Sequence, residues 1–409
     1  MKKINLLLVF CLFANLAFAQ GKEDNQKIVI GKTDSIQSKF LGEKRKIWVH
    51  LPDGANQKYP VVYLLDGDGH FSSVVGMIQQ LSTINGNMMC PKMIVVGINN
   101  TDRMRDLTPS RVSSDPLMDS TMTKTTGGGE NFTEFIEKEL FPYIDSIYPT
   151  APYRILIGHS LGGLMVINTL INHPNLFNSY VAIDPSMWWD DGKLLKQTQK
   201  ELAEKKWDGK NLFLGIANTM DDGMDIKTVQ KDTSASTRHI RSILKLQAAF
   251  EKNNKNGLIY KGKYYPDDTH GSAPLITEYD ALRFFFDFYP IKQTDKDYTD
   301  STGAIADKYQ NHFAAISRKM GYQIKPDEGE INYMGYNFLG KKMYKTAERF
   351  FKLNVDNHPE NSNVYDSYGD YFIAIGDKSN AIIQFKKALS IMENEVTRKK
   401  LTKLESDKK

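Results

Sequence analysis

The sequence predicts a doubly wound α/β domain with a mostly parallel sheet, followed by a small all-α domain of helical repeats. Three observations carry that expectation. Pro60-Val61-Val62-Tyr63-Leu64-Leu65 and Met93-Ile94-Val95-Val96-Gly97-Ile98 are continuous apolar runs, the pattern of strands buried on both faces of a parallel sheet. Helical stretches alternate with such runs as far as residue 290. Beyond residue 303 the alternation stops, and side chains recur at a spacing of 34 residues.

Each element follows in chain order. Lys2 and Lys3 precede the apolar run Ile4 to Phe18, and Ala17-Phe18-Ala19 supplies small residues before a cut at Gln20, so residues 1–19 are expected to be a signal peptide. Cys11 would leave with it. Cys90 would then stand alone, and an exported chain without an internal disulfide suits a bacterial periplasm. The formal net charge of +4 gives no reason to expect nucleic acid, and no span is expected in the mature chain. Lys27–Gly31 and Ser38–Leu51 carry alternating apolar positions and read as strands, followed by the run ending at Leu65. A helix is expected near Ser72, then strands at 93–98, 154–157, 180–183 and 212–217, and a closing helix from Glu278 to Phe288. Residues 27–290 therefore form the first domain, and the polar, turn-forming residues 291–303 a linker. In residues 304–405, Ala306 to Gly321 reads as a helix. Gly335 and Gly369, Ala347 and Ala381, and Phe351 and Phe385 are each 34 apart, the tetratricopeptide spacing, with Pro359 ending the first unit.

Chemistry concentrates at Gly158-His159-Ser160-Leu161-Gly162, between the apolar run 153–157 and a helical run from Leu164. Strand, sharp turn and helix around G-x-S-x-G make the nucleophile elbow of the α/β-hydrolase fold, with Ser160 as nucleophile. The helix N-terminus directs free N–H groups toward a forming oxyanion. A serine needs a base, and the base an orienting acid, in the chain order serine, acid, histidine. His270, in the loop before the closing helix, is the expected base. His239 lies in the charged helical stretch Thr237-Arg238-His239-Ile240-Arg241 and is expected on a solvated face. The strand ending at Ala217 runs into Asn218-Thr219-Met220-Asp221-Asp222-Gly223-Met224-Asp225, where Asp221 or Asp222, with Asp225 third, is the expected acid; a Ser–His dyad is the alternative. The oxyanion hole is expected to use the Leu161 N–H and one from Leu65-Asp66-Gly67-Asp68-Gly69-His70, at Asp68. Alternate Asp66 and Asp68 suggest calcium, but the ligands that should follow are missing. Gly67, Arg105 (with Arg103 and Arg111 in its loop) and the pair Trp188-Trp189 are candidate substrate contacts, the tryptophans equally candidates for packing.

Together, Tyr63-Leu64-Leu65-Asp66-Gly67-Asp68-Gly69-His70, Arg105-Asp106-Leu107-Thr108-Pro109, Gly158-His159-Ser160-Leu161-Gly162-Gly163 and Pro185-Ser186-Met187-Trp188-Trp189-Asp190 resemble one esterase family of α/β-hydrolases. It includes enterobactin and salmochelin esterases, feruloyl esterases and esterase D-type enzymes. The paired tryptophans and the Asp-Gly-Asp-Gly loop resemble its enterobactin-esterase branch most. The resemblance covers roughly residues 27–290 and implies Ser160 as nucleophile, His270 as base and Leu161 as oxyanion donor. It implies no metal or organic cofactor and leaves the acid open. The expectation is an exported serine esterase acting through an acyl-enzyme on a small-molecule ester, a siderophore trilactone or an acylated glycan. Acyl transfer at the same site, or an inactive hydrolase domain serving as a scaffold whose repeats bind a protein partner, are the alternatives.

Overall fold

The computed structural model describes residues 27–54, 57–114 and 118–406. The expected signal peptide, with Cys11, lies outside them. Among the described residues, eight strands form one sheet: β1 (Lys32–Ser38), β2 (Glu43–His50), β3 (Tyr59–Leu64), β4 (Ile94–Ile98), β5 (Thr150–His159), β6 (Ser179–Ile183), β7 (Asn211–Ala217) and β8 (Ile259–Tyr265). Their order across the sheet is β1-β2-β4-β3-β5-β6-β7-β8. β1 and β2 pair antiparallel, as do β2 and β4, and every other pairing is parallel.

The period-2 alternation of strand side chains decides which layer each residue joins. From β3, Val62 and Leu64 enter one apolar cluster, while Val61 and Tyr63 enter the other. The first cluster is closed by helix α1 (Gly67–Ser82), through Phe71, Val74 and Ile78. The second is closed on the opposite face by the helix that follows the elbow, Leu161–Asn172. The central strands are fully buried, as their continuous apolar runs require.

One strand differs from expectation. The first lies at Lys32–Ser38, whereas Lys27–Ile30 stays outside the sheet with Ile28 96% exposed. The reason is partnership: the polar run Lys32–Ser38 supplies just Ile36 to the core, yet its backbone pairs residue for residue with Val49 back to Glu43.

In the helical region, Glu328–Gly340 packs on Tyr344–Asn357, and Ser362–Ala374 on Lys378–Ile391. A Cβ at Gly335 would lie 2.7 Å from the Phe351 ring, and one at Gly369 would lie 2.5 Å from the Phe385 ring. Both helical pairs thus cross at glycine over phenylalanine, which is the physical content of the 34-residue spacing. The preceding helix, Ala304–Met320, belongs to two cores. Ile305, Ala306 and Tyr309 join the helical cluster, whereas Ile316 and Met320 join the sheet-face cluster with Leu282 and Phe286. The expected linker is also structured. Ile291 and Tyr298 pack on the helical core, and Gln293 hydrogen-bonds both Tyr298 and Tyr309. Among the described residues no helix is long and apolar enough to cross a membrane.

Candidate active site

β5 ends in the elbow. Ser160 sits at φ 59°, ψ −114°, a strained conformation that the surrounding backbone enforces. Its N–H donates to the Ile183 carbonyl at 2.9 Å, and its carbonyl accepts from Leu164 N–H at 2.9 Å and Ser186 N–H at 3.0 Å. The turn admits no side chain at Gly158, where a Cβ would stand 2.4 Å from the Gly162 carbonyl oxygen. The Ser160 Oγ lies 3.3 Å from Ser186 Oγ. Leu161 is the first residue of the helix, so its N–H has no intrahelical acceptor.

His270 lies in the loop between β8 and the helix Ala273–Phe285. That loop is pinned to the end of β7, where Asn218 N–H donates to the Asp268 carbonyl at 2.8 Å and its side chain to the Pro266 carbonyl at 3.0 Å. The His270 Nδ1 is 2.6 Å from Asp184 Oδ2. Asp184, directly after β6, is fully buried and held at φ 41°. Its other oxygen accepts from Ala217 N–H at 3.0 Å. Burial opposes its ionisation, but the bonds from His239, His270 and Ala217 outweigh burial and hold the carboxyl well below the usual carboxylate range.

The carboxylate at the histidine is therefore Asp184, and neither Asp221 nor Asp222 reaches it. Asp221 accepts from Ser236 Oγ at 2.7 Å on an exposed loop, and Asp222 is exposed beside it. Asp225 caps a short helix through Lys227 N–H and Thr228 N–H. The order serine, acid, histidine holds, but the acid leaves the sheet one strand earlier than expected. The signal was in the sequence: an Asp-Pro immediately after the apolar run 180–183, the strand adjacent to the elbow strand.

His239 is likewise not on a solvated face. Its side chain is 19% exposed, and its Nε2 lies 2.9 Å from the same Asp184 oxygen. Trp188 donates its indole N–H to His239 Nδ1 at 3.0 Å. The tryptophan pair divides, since Trp189 is buried in the core and donates to the Ser110 carbonyl. Arg105 is not free to meet a ligand, because Glu43 and Asp106 hold it, and Asp106 also pairs with the buried Arg45. Gly67 faces inward, where a Cβ would come within 2.6 Å of the Gly97 backbone, so it serves close packing. Asp66, at φ 54°, binds Arg103 through both oxygens, and Arg103 reaches the His159 carbonyl at 3.2 Å. Asp68 is the second residue of α1, where its N–H also lacks an intrahelical acceptor; its carboxylate stands 3.4 Å from Asn100 Nδ2.

The His159 ring lies tilted at 43° to that of His270, the centroids 4.4 Å apart. Burial, with the neighbouring His270 and His70, lowers its pKa to about 4, so it is neutral near pH 7. Among the described residues, Asp184, His239 and His270 place three metal-capable atoms within 4.8 Å of one another. Those atoms already bond to one another, so a cation there would have to displace both ring protons. Beside the His270 loop, a cleft of about 490 Å³ is lined by Met220, Met224, Ile226, Tyr264 and Pro266, with Asn218, Asp225 and Lys227 as polar groups.

An elbow serine, an imidazole and a buried carboxylate at the ends of the parallel strands define a serine hydrolase of the α/β-hydrolase fold. Residues 38–250, just over half of the chain, match the family described as "Putative esterase", and the chain belongs to it. The chain is 36% identical over 154 residues to the ferri-bacillibactin esterase of Bacillus subtilis, covering 34% of this chain and 52% of that one. It is 26% identical over 168 residues to the siderophore enterobactin esterase of Emericella nidulans, covering 38% and 55%. The chain thus spans about half the length of these two relatives. An IroE-like serine hydrolase from Shewanella oneidensis superposes with a TM-score of 0.67 at 30% identity, covering 80% of this chain and 99% of that one.

Proposed function

We propose that the chain cleaves carboxylic esters through an acyl-enzyme on Ser160, with siderophore lactone esters as the substrate class. The observation that carries the mechanism is the 2.6 Å contact between His270 Nδ1 and Asp184. An ionised Asp184 makes Nδ1 the protonated nitrogen, which leaves the Nε2 lone pair to take the Ser160 proton as Oγ attacks the ester carbonyl. The negative charge that develops on the carbonyl oxygen is met by the Leu161 N–H, with the Asp68 N–H as second donor. Collapse expels the alcohol, which receives the proton from His270, and water then hydrolyses the acyl-enzyme by the same route. The substrate class rests on the relatives' named substrates and on the cleft beside His270, whose methionine and tyrosine walls suit an aromatic acyl group. Export rests on the basic and apolar character of residues 1–19.

Hydrolysis of p-nitrophenyl acetate and of a catecholate trilactone by wild type and Ser160→Ala tests the reading. Turnover should fall by about 10⁵-fold in the variant on both esters. Retention of more than a few per cent would refute the serine mechanism. Activity on the simple ester with none on the trilactone would refute the substrate class alone.

A further inference from the structure

The mechanism above uses one of the two imidazoles that touch Asp184. The second, His239, is bound at both ring nitrogens, and its two partners dictate its state. Trp188 Nε1–H can only donate, so His239 Nδ1 must offer a lone pair across the 3.0 Å contact. The remaining nitrogen, Nε2, then carries the proton and donates it to Asp184 Oδ2 at 2.9 Å. An imidazolium at this position would set an Nδ1–H against the indole N–H. The result is an ordered chain running from the indole through His239 to Asp184, with His270 on the far side of the same oxygen.

We propose that His239 is a positioning residue for ester hydrolysis, locked by Trp188 as a neutral Nε2–H donor that fixes the Asp184 carboxylate beneath His270. This rests on the Ser160–His270–Asp184 reading and extends it. Neutrality is the useful property. The His239 ring lies 5.1 Å from that of His270, edge to face. A lysine or arginine here would repel the imidazolium that forms on His270 and would draw charge from the carboxylate that stabilises it. A neutral donor restrains Asp184 while leaving its full negative charge to His270. The charged or titratable groups around His239 are Asp184, His270 and Arg238, whose guanidinium lies 4.5 Å from the Trp188 ring centroid. Thr237, buried at the start of the His239 helix, and the Arg241 side chain bonded to it fix the first turn that carries the imidazole.

The test compares the full chain as wild type, Ser160→Ala, His239→Leu, His239→Gln and Trp188→Phe on p-nitrophenyl acetate. Each kcat is divided by the concentration of folded protein, measured by circular dichroism and absorbance. His239→Leu should lower kcat at least 100-fold, with KM within threefold of wild type. His239→Gln has an amide N–H for Asp184 and an amide oxygen for the indole, and should recover kcat to within tenfold of wild type. A merely structural role predicts equal losses for Leu and Gln, and that result overturns the proposal, as does an unchanged kcat in His239→Leu. Trp188→Phe keeps the ring but frees Nδ1, and should lower kcat threefold or more at unchanged KM. It decides the matter even if the leucine variant does not fold, since a wild-type kcat there removes the tautomer lock. Full activity in Ser160→Ala would instead refute the underlying serine mechanism.

Discussion

Glu278 is a buried carboxyl without a hydrogen-bond partner. It lies on the helix Ala273–Phe285 and is 1% exposed. The nearest basic atom is His70 Nδ1, 4.0 Å away, beyond hydrogen-bond reach. Burial lowers the pKa of His70 as well, so it offers no dependable counter-charge. Burial therefore raises the Glu278 pKa from 4.5 to about 8. The folded chain binds a proton here that the unfolded chain has released, so stability declines as pH rises from about 4.5 through 8. Integrating the two titrations gives a loss of about 4 kcal/mol between pH 5 and pH 9. Glu278→Gln removes the ionisable group while keeping the shape. Urea denaturation of wild type and variant at pH 5, 7 and 9 isolates this one term, because the other titrating groups cancel in the difference. The variant should gain about 4 kcal/mol on wild type across that range, most of it above pH 6. Parallel stability curves for the two proteins would show that Glu278 is ionised in the native state and that the reasoning from its burial is wrong.

Asp184→Asn should lower kcat about 10⁴-fold, since an amide N–H facing His270 forces the proton onto the wrong ring nitrogen. Asp221→Asn and Asp222→Asn should stay within threefold of wild type; steady-state kinetics on one small ester separates the three. A chain ended at residue 303 loses Ile316 and Met320 from the sheet-face cluster and should be destabilised by roughly 3–6 kcal/mol. One ended at residue 326 keeps both and should retain wild-type kcat. Equal urea midpoints for the two truncations would contradict a contribution of Ile316 and Met320 to the sheet-face core.

The parts of the fold legible in the sequence were those in which one local pattern had one solution. Apolar runs with no polar side chain located the central strands, and a glycine-bracketed serine between strand and helix located the elbow. His270 was legible because it stands alone in the loop before a helix that the sequence marks clearly. Asp184 was missed because the acid was sought after β7, whereas the sheet order sets β6 next to the elbow strand, and pairing between strands is not written in either strand. His239 was missed for a related reason. Its neighbours Arg238 and Arg241 suggested a solvated face, but Arg238 covers Trp188 and Arg241 bonds to Thr237, while the imidazole itself turns to Asp184 and Trp188. Arg105 looked free for the opposite reason, since its partners Glu43 and Asp106 come from a distant strand and the adjacent position. The helix Ala304–Met320 changes core midway, which a helical period cannot reveal.

Asp184 rides on the sheet itself, bonded to the backbone at the start of one loop and placed at the start of another. The loop between Asn218 and Thr237, from Thr219 to Ser236, thereby supplies no reacting group, although it forms much of the wall of the cleft. Met220, Met224 and Ile226 can be replaced while the reacting groups stay where the strands put them. The wall of the cleft and the reacting groups are thus separable by substitution. Selection for a new ester can work on the loop alone, and a library restricted to those three positions is where altered substrate preference should be found at undiminished turnover.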